Sequence, residues 1–215
     1  MQKIDQGLLT PKGRTTYRNI MESAARCVAD LGIERTSVTA IAQKAGVSRS
    51  LVAHYLPSQN DLLLTIMHHI SNVGTEMVTP QDGTQSGEDQ LLFSVQSNFS
   101  FFEKFPHYFS CQLLLYSSSA IREDCRKLNR TIYESFIGRI TGYLELSATE
   151  KKIEVKKEAI QRFAEQTYSN VDGAMVVYLF MLSQAEREDY RKRFMNRVQK
   201  DLRFFFFNQS LSELD

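Results

Sequence analysis

Polar side chains repeat at helical spacing between residues 48 and 55. Arg49, Ser50 and His54 fall on one side of a short predicted helix that Ser48 can cap, and apolar residues fall on the other side. An arginine can donate to a guanine edge or a phosphate, and a small side chain such as Ser50 lets the backbone approach DNA closely. This pattern predicts a helix that enters the major groove of DNA. An ordinary helical hairpin with a solvated outer face is the alternative.

Other chemistry has few residues to carry it. His107 and Cys111 are spaced i, i+4 and can share a helix face, which would suit a metal or a nucleophile, but no third ligand is evident. Adjacent His68 and His69 point about 100° apart on a helix and cannot easily chelate one ion. The three cysteines form no CxxC pair. We therefore expect no catalytic residue, no metal, no cofactor and no enzymatic activity.

The predicted groove-entering helix, called the reading helix below, needs neighbouring helices that hold it in place. Before it, Thr36 or Ser37 can cap a short helix with an apolar face that ends at Gly46, so a helix-turn-helix is predicted over about residues 37–56. An earlier helix of about four turns, from Tyr17 to Leu31, would cover both. After it, Pro57 ends the reading helix and residues 58–61 form a capping box that opens a fourth helix.

The run from Arg14 to about Gly74 resembles the N-terminal domain of TetR-family transcription regulators. The matching residues are the Ala24-Ala25 pair with Gly32, Thr36-Ser37-Val38, Ile41-Ala42, Ala45-Gly46-Val47-Ser48 and His54-Tyr55.

This resemblance implies contacts to double-stranded DNA from one set of residues: Ser37, Ser48, Arg49, Ser50, His54, Tyr55 and Gln59. The chain departs from the family's usual small residue, tyrosine, phenylalanine and lysine at Ser50, Ala53, Leu56 and Gln59. We therefore expect the affinity to rest more on Ser37, Arg49, His54, Tyr55 and the basic residues that precede or open the first helix.

Charge is consistent with DNA contact at one end of the chain. Residues 1–56 contain eight basic and four acidic side chains, a net charge of +4, whereas the whole chain has a net charge of +1. Lys12, Arg14 and Arg18 are candidate phosphate contacts. An excess this small also fits chance variation, so the charge supports the motif without replacing it.

Length and composition predict a folded all-α protein. The chain has 215 residues, of which 42% are hydrophobic and 11% aromatic, enough for a small module and a larger domain. We predict about nine helices, a DNA-binding domain at 14–74 and a helical ligand-binding and dimerisation domain at 75–215. The longest apolar run, nine residues at 174–182, is far below the roughly 20 needed to span a bilayer, and no signal peptide is evident. We expect a cytoplasmic protein without membrane contact.

The larger domain shows few helix breakers. Pro80 and the polar residues up to Gly87 form the predicted linker. The predicted helices that follow are Glu88 to Phe105, His107 to about Ser118, Ile121 to about Leu146, Ser147 to about Ser183, starting at a capping box of Ser147 and Glu150, and about Glu186 to Asn208.

The last two predicted helices carry much apolar surface, at Val171–Leu182 and Phe204–Phe207. The family resemblance implies that they form a homodimer, which would present two reading helices about 34 to 36 Å apart to a palindromic site. A wholly intramolecular core is the alternative.

Aromatic and polar residues alternate in the middle helices, a composition that suits a small-molecule pocket, although each residue alone fits plain packing. The resemblance implies an effector pocket, for which we name Met67, Ile70, Phe99, Phe102, Leu113, Tyr116, Tyr133, Phe136, Gln166 and Asn170. The predicted function is a ligand-responsive repressor that an unknown small molecule releases from DNA. The alternatives are a dimeric helical adaptor, or a metal- or redox-sensing protein without operator binding.

Overall fold

The computed structural model describes residues 10–56, 58, 61–81 and 85–211. Within these ranges the regular structure consists of nine α-helices and one 3₁₀ turn at Ile33–Arg35, without strands. The predicted all-α fold of about nine helices is therefore confirmed. The helices are α1 (Pro11–Leu31), α2 (Val38–Ala45), α3 (Arg49–Tyr55), α4 (Leu62–Val78), α5 (Gly87–Lys104), α6 (Pro106–Ser119), α7 (Glu123–Lys151), α8 (Lys157–Phe180) and α9 (Gln184–Leu211).

The chain divides into two compact units. The first comprises residues 1–73 and 105–129, and the second comprises residues 74–104 and 130–215. The division at 73/74 lies beside the boundary expected at 74/75. Residues 105–129, which the sequence assigned to the larger domain, group instead with the first unit, because α6 packs against α1. Helices α4 and α7 each run through the division.

In the first unit, α1 packs against α2, α3 and α6. Ile20, Met21 and Ala24 are fully buried on α1, and they lie at the helical spacing that the sequence pattern predicted. A long-range contact joins the other side of α1 to α6: the Cys111 Sγ lies 3.8 Å from the Ala25 carbonyl oxygen. Small residues at Ala24 and Ala25 allow this close approach on both sides of the helix.

The second unit has its own apolar core, formed by α5, α7, α8 and α9. Its α5 begins against the backbone of α7, because a Cβ at Gly87 would lie 2.3 Å from the Tyr143 carbonyl oxygen and 2.6 Å from the Ser147 nitrogen. Glycine is therefore required at position 87 because the backbones of α5 and α7 lie so close together, and not because of an unusual backbone conformation. Core residues are Leu91, Val95, Phe136, Ile140, Leu144, Ile160, Ala164, Val171, Val198, Leu202 and Phe206.

The first helix begins earlier than its apolar pattern indicated. It starts at Pro11, with Thr10 as N-cap: the Thr10 Oγ1 accepts from the Gly13 nitrogen at 3.2 Å. The prediction started at Tyr17 because apolar periodicity begins there. A capping threonine followed by proline at the first helical position is the local signal that sets the true start.

The predicted capping box at Ser147 was wrong. Ser147 and Glu150 lie inside α7, and the next helix starts only at Lys157. Ser147 is buried, and the Thr149 hydroxyl donates to the Glu145 carbonyl oxygen within the helix at 2.9 Å. Helix α7 ends where Lys152 adopts a left-handed φ of 57°. A capping-box spacing without a preceding break does not stop a helix whose residues are already packed.

Candidate nucleic-acid interface

Helix α2 is fixed at both ends by its own sequence. The Ser37 Oγ accepts from the Ala40 nitrogen at 3.2 Å, which caps the helix start. Gly46 ends it in the left-handed conformation, at φ 67° and ψ 33°. Just before the cap, the buried Thr36 hydroxyl donates to the Gly32 carbonyl oxygen at 2.9 Å. This hydrogen bond connects the segment that leads into α2 to the C-terminal end of α1. Ser37 itself is exposed at the helix N-terminus, a position from which a side chain and backbone N–H groups can meet a phosphate.

The turn between α2 and α3 is held from α1. The Asn19 side-chain amide donates to the Ala45 carbonyl oxygen at 2.7 Å, across 26 residues of sequence. At the other side of the turn, the Ser48 Oγ accepts from the Leu51 nitrogen at 3.2 Å and caps α3. Ser48 and Ser50 hydroxyls also lie 3.0 Å apart. The predicted helix-turn-helix is therefore present, with Asn19 as a support that the sequence pattern did not reveal.

Helix α3 has one buried and one exposed face. Val52 is fully buried, whereas Arg49, Ser50, Ala53 and His54 are exposed. This is the division that the sequence predicted. On this exposed face, the Arg49 guanidinium and the His54 imidazole can donate hydrogen bonds, and the small Ser50 and Ala53 side chains leave room for a ligand such as DNA to approach the helix backbone.

Tyr55 differs from the other predicted DNA contacts. Its side chain is 6% exposed, and its ring packs edge-on against Tyr17 with 5.5 Å between centroids. The exposed His54 ring lies against it at 4.9 Å. Tyr17 in turn contacts His69 at 5.5 Å. The ring of Tyr55 therefore supports the exposed face of α3 from below.

Basic side chains extend the surface along α1 and α2. Lys12, Arg14 and Arg18 are exposed on the first turns of α1, and their contact with phosphate remains a prediction. Lys44 on α2 is neutralised locally, because its Nζ lies 2.7 Å from an Asp30 carboxylate oxygen. Gln59, also named as a DNA contact, lies outside the described residues, as do Pro57 and Asn60 of the predicted helix stop and capping box.

Burial shifts the pKa values of two histidines and one cysteine in the first unit. Burial raises the pKa of the Cys111 thiol to about 12, and it lowers the pKa of both His69 and His107 to about 4. At neutral pH, Cys111 is therefore a thiol and both imidazoles are uncharged. Within the described ranges, no three His, Cys, Asp or Glu residues are grouped as metal ligands.

The ten residues named for an effector pocket are divided between the two units. Met67 and Ile70 are buried core residues of α4. With them in the first unit are Leu113 and Tyr116. The second unit contains Phe99, Phe102, Tyr133, Phe136, Gln166 and Asn170.

Two pairs of these residues lie together in the second unit. Tyr133 and Phe136 both contact the Tyr168 ring, at 5.0 and 5.2 Å between centroids. Gln166 and Asn170 line a shallow hollow at α8 and α9 of about 10 Å³, barely room for one water molecule. That hollow is too small for an effector. Phe99 is fully buried against Tyr178 and Phe194, which is core packing. The Phe102 ring lies edge-on to Phe101, with 4.9 Å between centroids.

Apolar side chains are exposed near the C-terminal ends of α8 and α9. Phe204 and Phe207 are 65% and 59% exposed on α9, and Phe180 is 53% exposed at the end of α8. Phe204 and Phe207 are spaced i, i+3 on one side of α9, and such a pair of exposed apolar groups marks a surface suited to protein contact. Phe180 lies apart from this pair, because the neighbouring Phe205 ring packs against Phe163, about 25 Å along α8 from Phe180. None of the described helices is long and apolar enough to cross a membrane.

Known proteins resemble this chain at its N-terminus and in its fold. A family model for bacterial regulatory proteins of the tetR family matches residues 20–66. The HTH-type transcriptional regulator BetI of Brucella anthropi is 24% identical over 160 residues, which cover 74% of this chain and 79% of that protein. An HTH-type regulator of Mycobacterium tuberculosis, MT2310, is 37% identical over 69 residues, 32% of this chain and 35% of that protein.

A solved structure extends the similarity to most of the fold. A transcriptional regulator from Saccharomonospora viridis, determined in complex with choline, superposes with a TM-score of 0.71 at 17% identity and covers 86% of this chain and 96% of that one. The family match contains both helices of the helix-turn-helix and the turn between them.

Proposed function

We propose, from the premise that this chain is a member of the TetR family and a DNA-binding transcriptional regulator, that it is a homodimeric repressor released from DNA by a small molecule. The observation that carries this proposal is the exposed face of α3. Arg49, Ser50, Ala53 and His54 face solvent, while Val52 and Tyr55 anchor the helix on α1. We place this function in the cytoplasm, where a bacterial chromosome lies.

The contacts to DNA follow from the side chains available. Arg49 carries the donor geometry that pairs with both acceptors of a guanine edge, and Ser50 and Ala53 are small enough for the helix to enter the groove. Ser37, at the N-terminus of α2, and Arg14, on α1, are placed in the proposal as phosphate contacts that set the orientation of α3. His54 is a further donor at the phosphate side of the groove.

A homodimer would give the geometry for a palindromic operator. A two-fold subunit contact formed by α8 and α9 would cover the exposed Phe180, Phe204 and Phe207. The two copies of α3 would then contact successive major grooves, about 34 to 36 Å apart. We propose that this surface, rather than the N-terminal helices, joins the two subunits.

An effector would act by preferring the dimer state that does not fit DNA. A shift from 1:99 to 99:1 between two states requires a differential affinity of about 5.5 kcal/mol per dimer. Support for a ligand comes from the Saccharomonospora viridis regulator, which holds choline. We propose that the second unit, which contains Tyr133 and Phe136, carries the binding site in this chain.

The experiment that tests the proposal is a DNA-binding titration. Duplex DNA from the region upstream of the protein's own gene should bind with an affinity that falls steeply as salt rises, because phosphate contacts release counterions. Arg49→Ala should weaken binding by about 10-fold or more, the loss expected for one guanine contact. The matched control is Arg130→Ala at an exposed position of α7, outside the proposed DNA and subunit contacts, which should bind like wild type. Binding that is absent, or that Arg49→Ala leaves unchanged, contradicts the proposal.

A further inference from the structure

Helix α7 carries an arginine, Arg139, with a buried nitrogen that makes no hydrogen bond within the described residues. This nitrogen is the Arg139 Nε, which is shielded from solvent. Its Nη1 donates to the Ser135 Oγ at 3.0 Å, and its guanidinium carbon lies 5.8 Å from the Phe136 ring centroid. By contrast, Arg191 in the same unit pairs with the carboxylates of Glu188 and Glu103. Arg139 is thus a partly buried cation without a carboxylate among the residues described.

The next turn of α7 places a second unpartnered polar group beside it. Tyr143 lies at i+4 from Arg139, so their side chains occupy one side of the helix about one turn apart. The Tyr143 hydroxyl is buried and has no hydrogen-bond partner in the described part of the chain. Burial lowers the pKa of Arg139 and raises that of Tyr143, and the two groups perturb each other, which is consistent with their proximity.

One end of this row of groups is closed. Ser147 follows Tyr143 by four residues, and its Oγ is also unpartnered. The Gly87 backbone fills the space there, because a Cβ on Gly87 would lie 2.6 Å from that Oγ. A molecule bound along α7 would therefore reach Arg139 and Tyr143 but not extend past Ser147.

The unpaired donors define the ligand's chemistry. The edge of a guanidinium presents two parallel N–H groups, which match the two oxygens of a carboxylate, and a phenol can donate to the same group. One cation balances one negative charge, so a carboxylate fits better than a phosphate dianion. Phe136, whose ring centroid lies 5.8 Å from the guanidinium carbon, is the apolar side chain placed to contact the body of the ligand.

We propose that Arg139 and Tyr143 bind the carboxylate of a small organic acid with an apolar body, and that this acid is the effector. The assignment of the acid as effector rests on the proposed function, whereas the binding site does not. Choline, the cation held by the Saccharomonospora viridis regulator, would meet the like charge of Arg139. This chain is therefore expected to differ from that regulator in the charge of its ligand.

Thermal unfolding of the full-length protein tests the site without DNA. Benzoate and hexanoate, at saturating concentration, should raise the Tm by about 3 °C or more. Benzamide, choline chloride and inorganic phosphate at matched ionic strength should not. Arg139→Met keeps the aliphatic stem against Phe136 and should abolish the carboxylate response, and Tyr143→Phe should weaken carboxylate binding by about 10-fold. The matched control, Arg130→Met, changes an exposed arginine of the same helix and should respond like wild type.

Four outcomes would overturn the site. These are no response to either carboxylate, an equal response to phosphate, a response that survives in Arg139→Met, and conversion of Arg139→Met to a monomer, which would assign Arg139 to a subunit contact.

The DNA-binding titration separates the two proposals. Carboxylate binding by a protein that binds no DNA would contradict the regulator and leave the site standing. DNA binding without any carboxylate response would contradict only the site. Carboxylate binding that leaves DNA affinity unchanged would contradict the assignment of the acid as effector.

Discussion

The Asn19 side-chain amide donates a 2.7 Å hydrogen bond to the Ala45 carbonyl oxygen, which joins the middle of α1 to the last residue of α2. Ala45 is followed by the left-handed Gly46, so its carbonyl lies at the start of the turn that leads into α3. A carbonyl at a helix C-terminus has no partner within the helix. Asn19 supplies one, and it thereby connects the covering helix to the turn that sets the direction of α3.

Asn19→Ala should therefore weaken both folding and DNA binding. Loss of one such hydrogen bond is expected to lower the free energy of unfolding by about 1 kcal/mol. A less firmly held turn should reduce DNA affinity by no more than about 5-fold, since no DNA contact is removed. Urea unfolding and a DNA titration measure the two effects. Asn72→Ala, at an exposed asparagine of α4, is the control, and equal unfolding of the two variants would contradict the role of Asn19.

Gly46→Ala tests whether the turn depends on its left-handed residue. A side chain at φ 67° is strained although nothing lies within 4 Å of the added Cβ, so we expect a loss of about 1 kcal/mol in the free energy of unfolding. Gly138→Ala makes the same change at an exposed position within α7, where a Cβ also meets nothing within 4 Å. That variant should instead gain about 0.5–1 kcal/mol, because alanine favours helix over glycine.

Opposite signs for the two variants are the expected result in urea unfolding. If both variants gain stability, the left-handed conformation of Gly46 is not required in solution.

These local signals explain why the helix-turn-helix was predictable. Ser37, Gly46 and Ser48 each specify a helix end through neighbours within a few residues, and all three act as predicted. The sequence could not reveal the Asn19 contact or the grouping of α6 with α1, because these depend on residues 26 and 86 positions apart.

Residues shared by two patterns were harder to assign. Tyr55 has the spacing of a core residue and the position of a family DNA contact, and its burial shows that the ring belongs to the core. Ser147 has the spacing of a capping box, but its burial within α7 overrides that local preference. For Ser147, tertiary packing overrode the local signal, whereas the DNA contact expected of Tyr55 remains a prediction beside its packing role.

Acid should destabilise the first unit through His69. Burial, and then the nearby Arg18 charge, lower its folded-state pKa to about 4 from an ordinary value of 6.5. Between these values the unfolded chain binds a proton that the folded chain excludes. The stability is therefore full above about pH 6.5 and falls as the pH approaches 4, by roughly 2 to 3 kcal/mol for this residue. His107, with its pKa also lowered to about 4, should add a smaller loss because it lies nearer the surface.

Thermal unfolding from pH 7 to pH 4 measures this effect. His69→Gln keeps a hydrogen-bonding group near the Tyr108 hydroxyl, which lies 3.4 Å from the His69 Nε2. It should show a shallower fall in Tm with acid than wild type, and His107→Gln should show an intermediate one. Parallel curves for wild type and His69→Gln would mean that His69 is not buried in its neutral form.

The exposed phenylalanines of α9 give the sharpest test of the dimer. Phe204 and Phe207 are 65% and 59% exposed, so replacing both by glutamate costs an isolated subunit little. In a two-fold dimer through α8 and α9, four carboxylates would be placed in an apolar contact, where an unpaired charge is strongly disfavoured. The Phe204→Glu, Phe207→Glu double variant should sediment as a folded monomer at concentrations where the wild type is a dimer.

Ile121→Glu is the matched control, because Ile121 is 85% exposed and lies in the other unit. It should remain a dimer with wild-type unfolding. The monomeric double variant should also bind a palindromic duplex much more weakly than wild type, since the two reading helices lose their fixed spacing. A double variant that stays dimeric would exclude these two phenylalanines from the subunit contact, and a wild type that sediments as a monomer would contradict the homodimer itself.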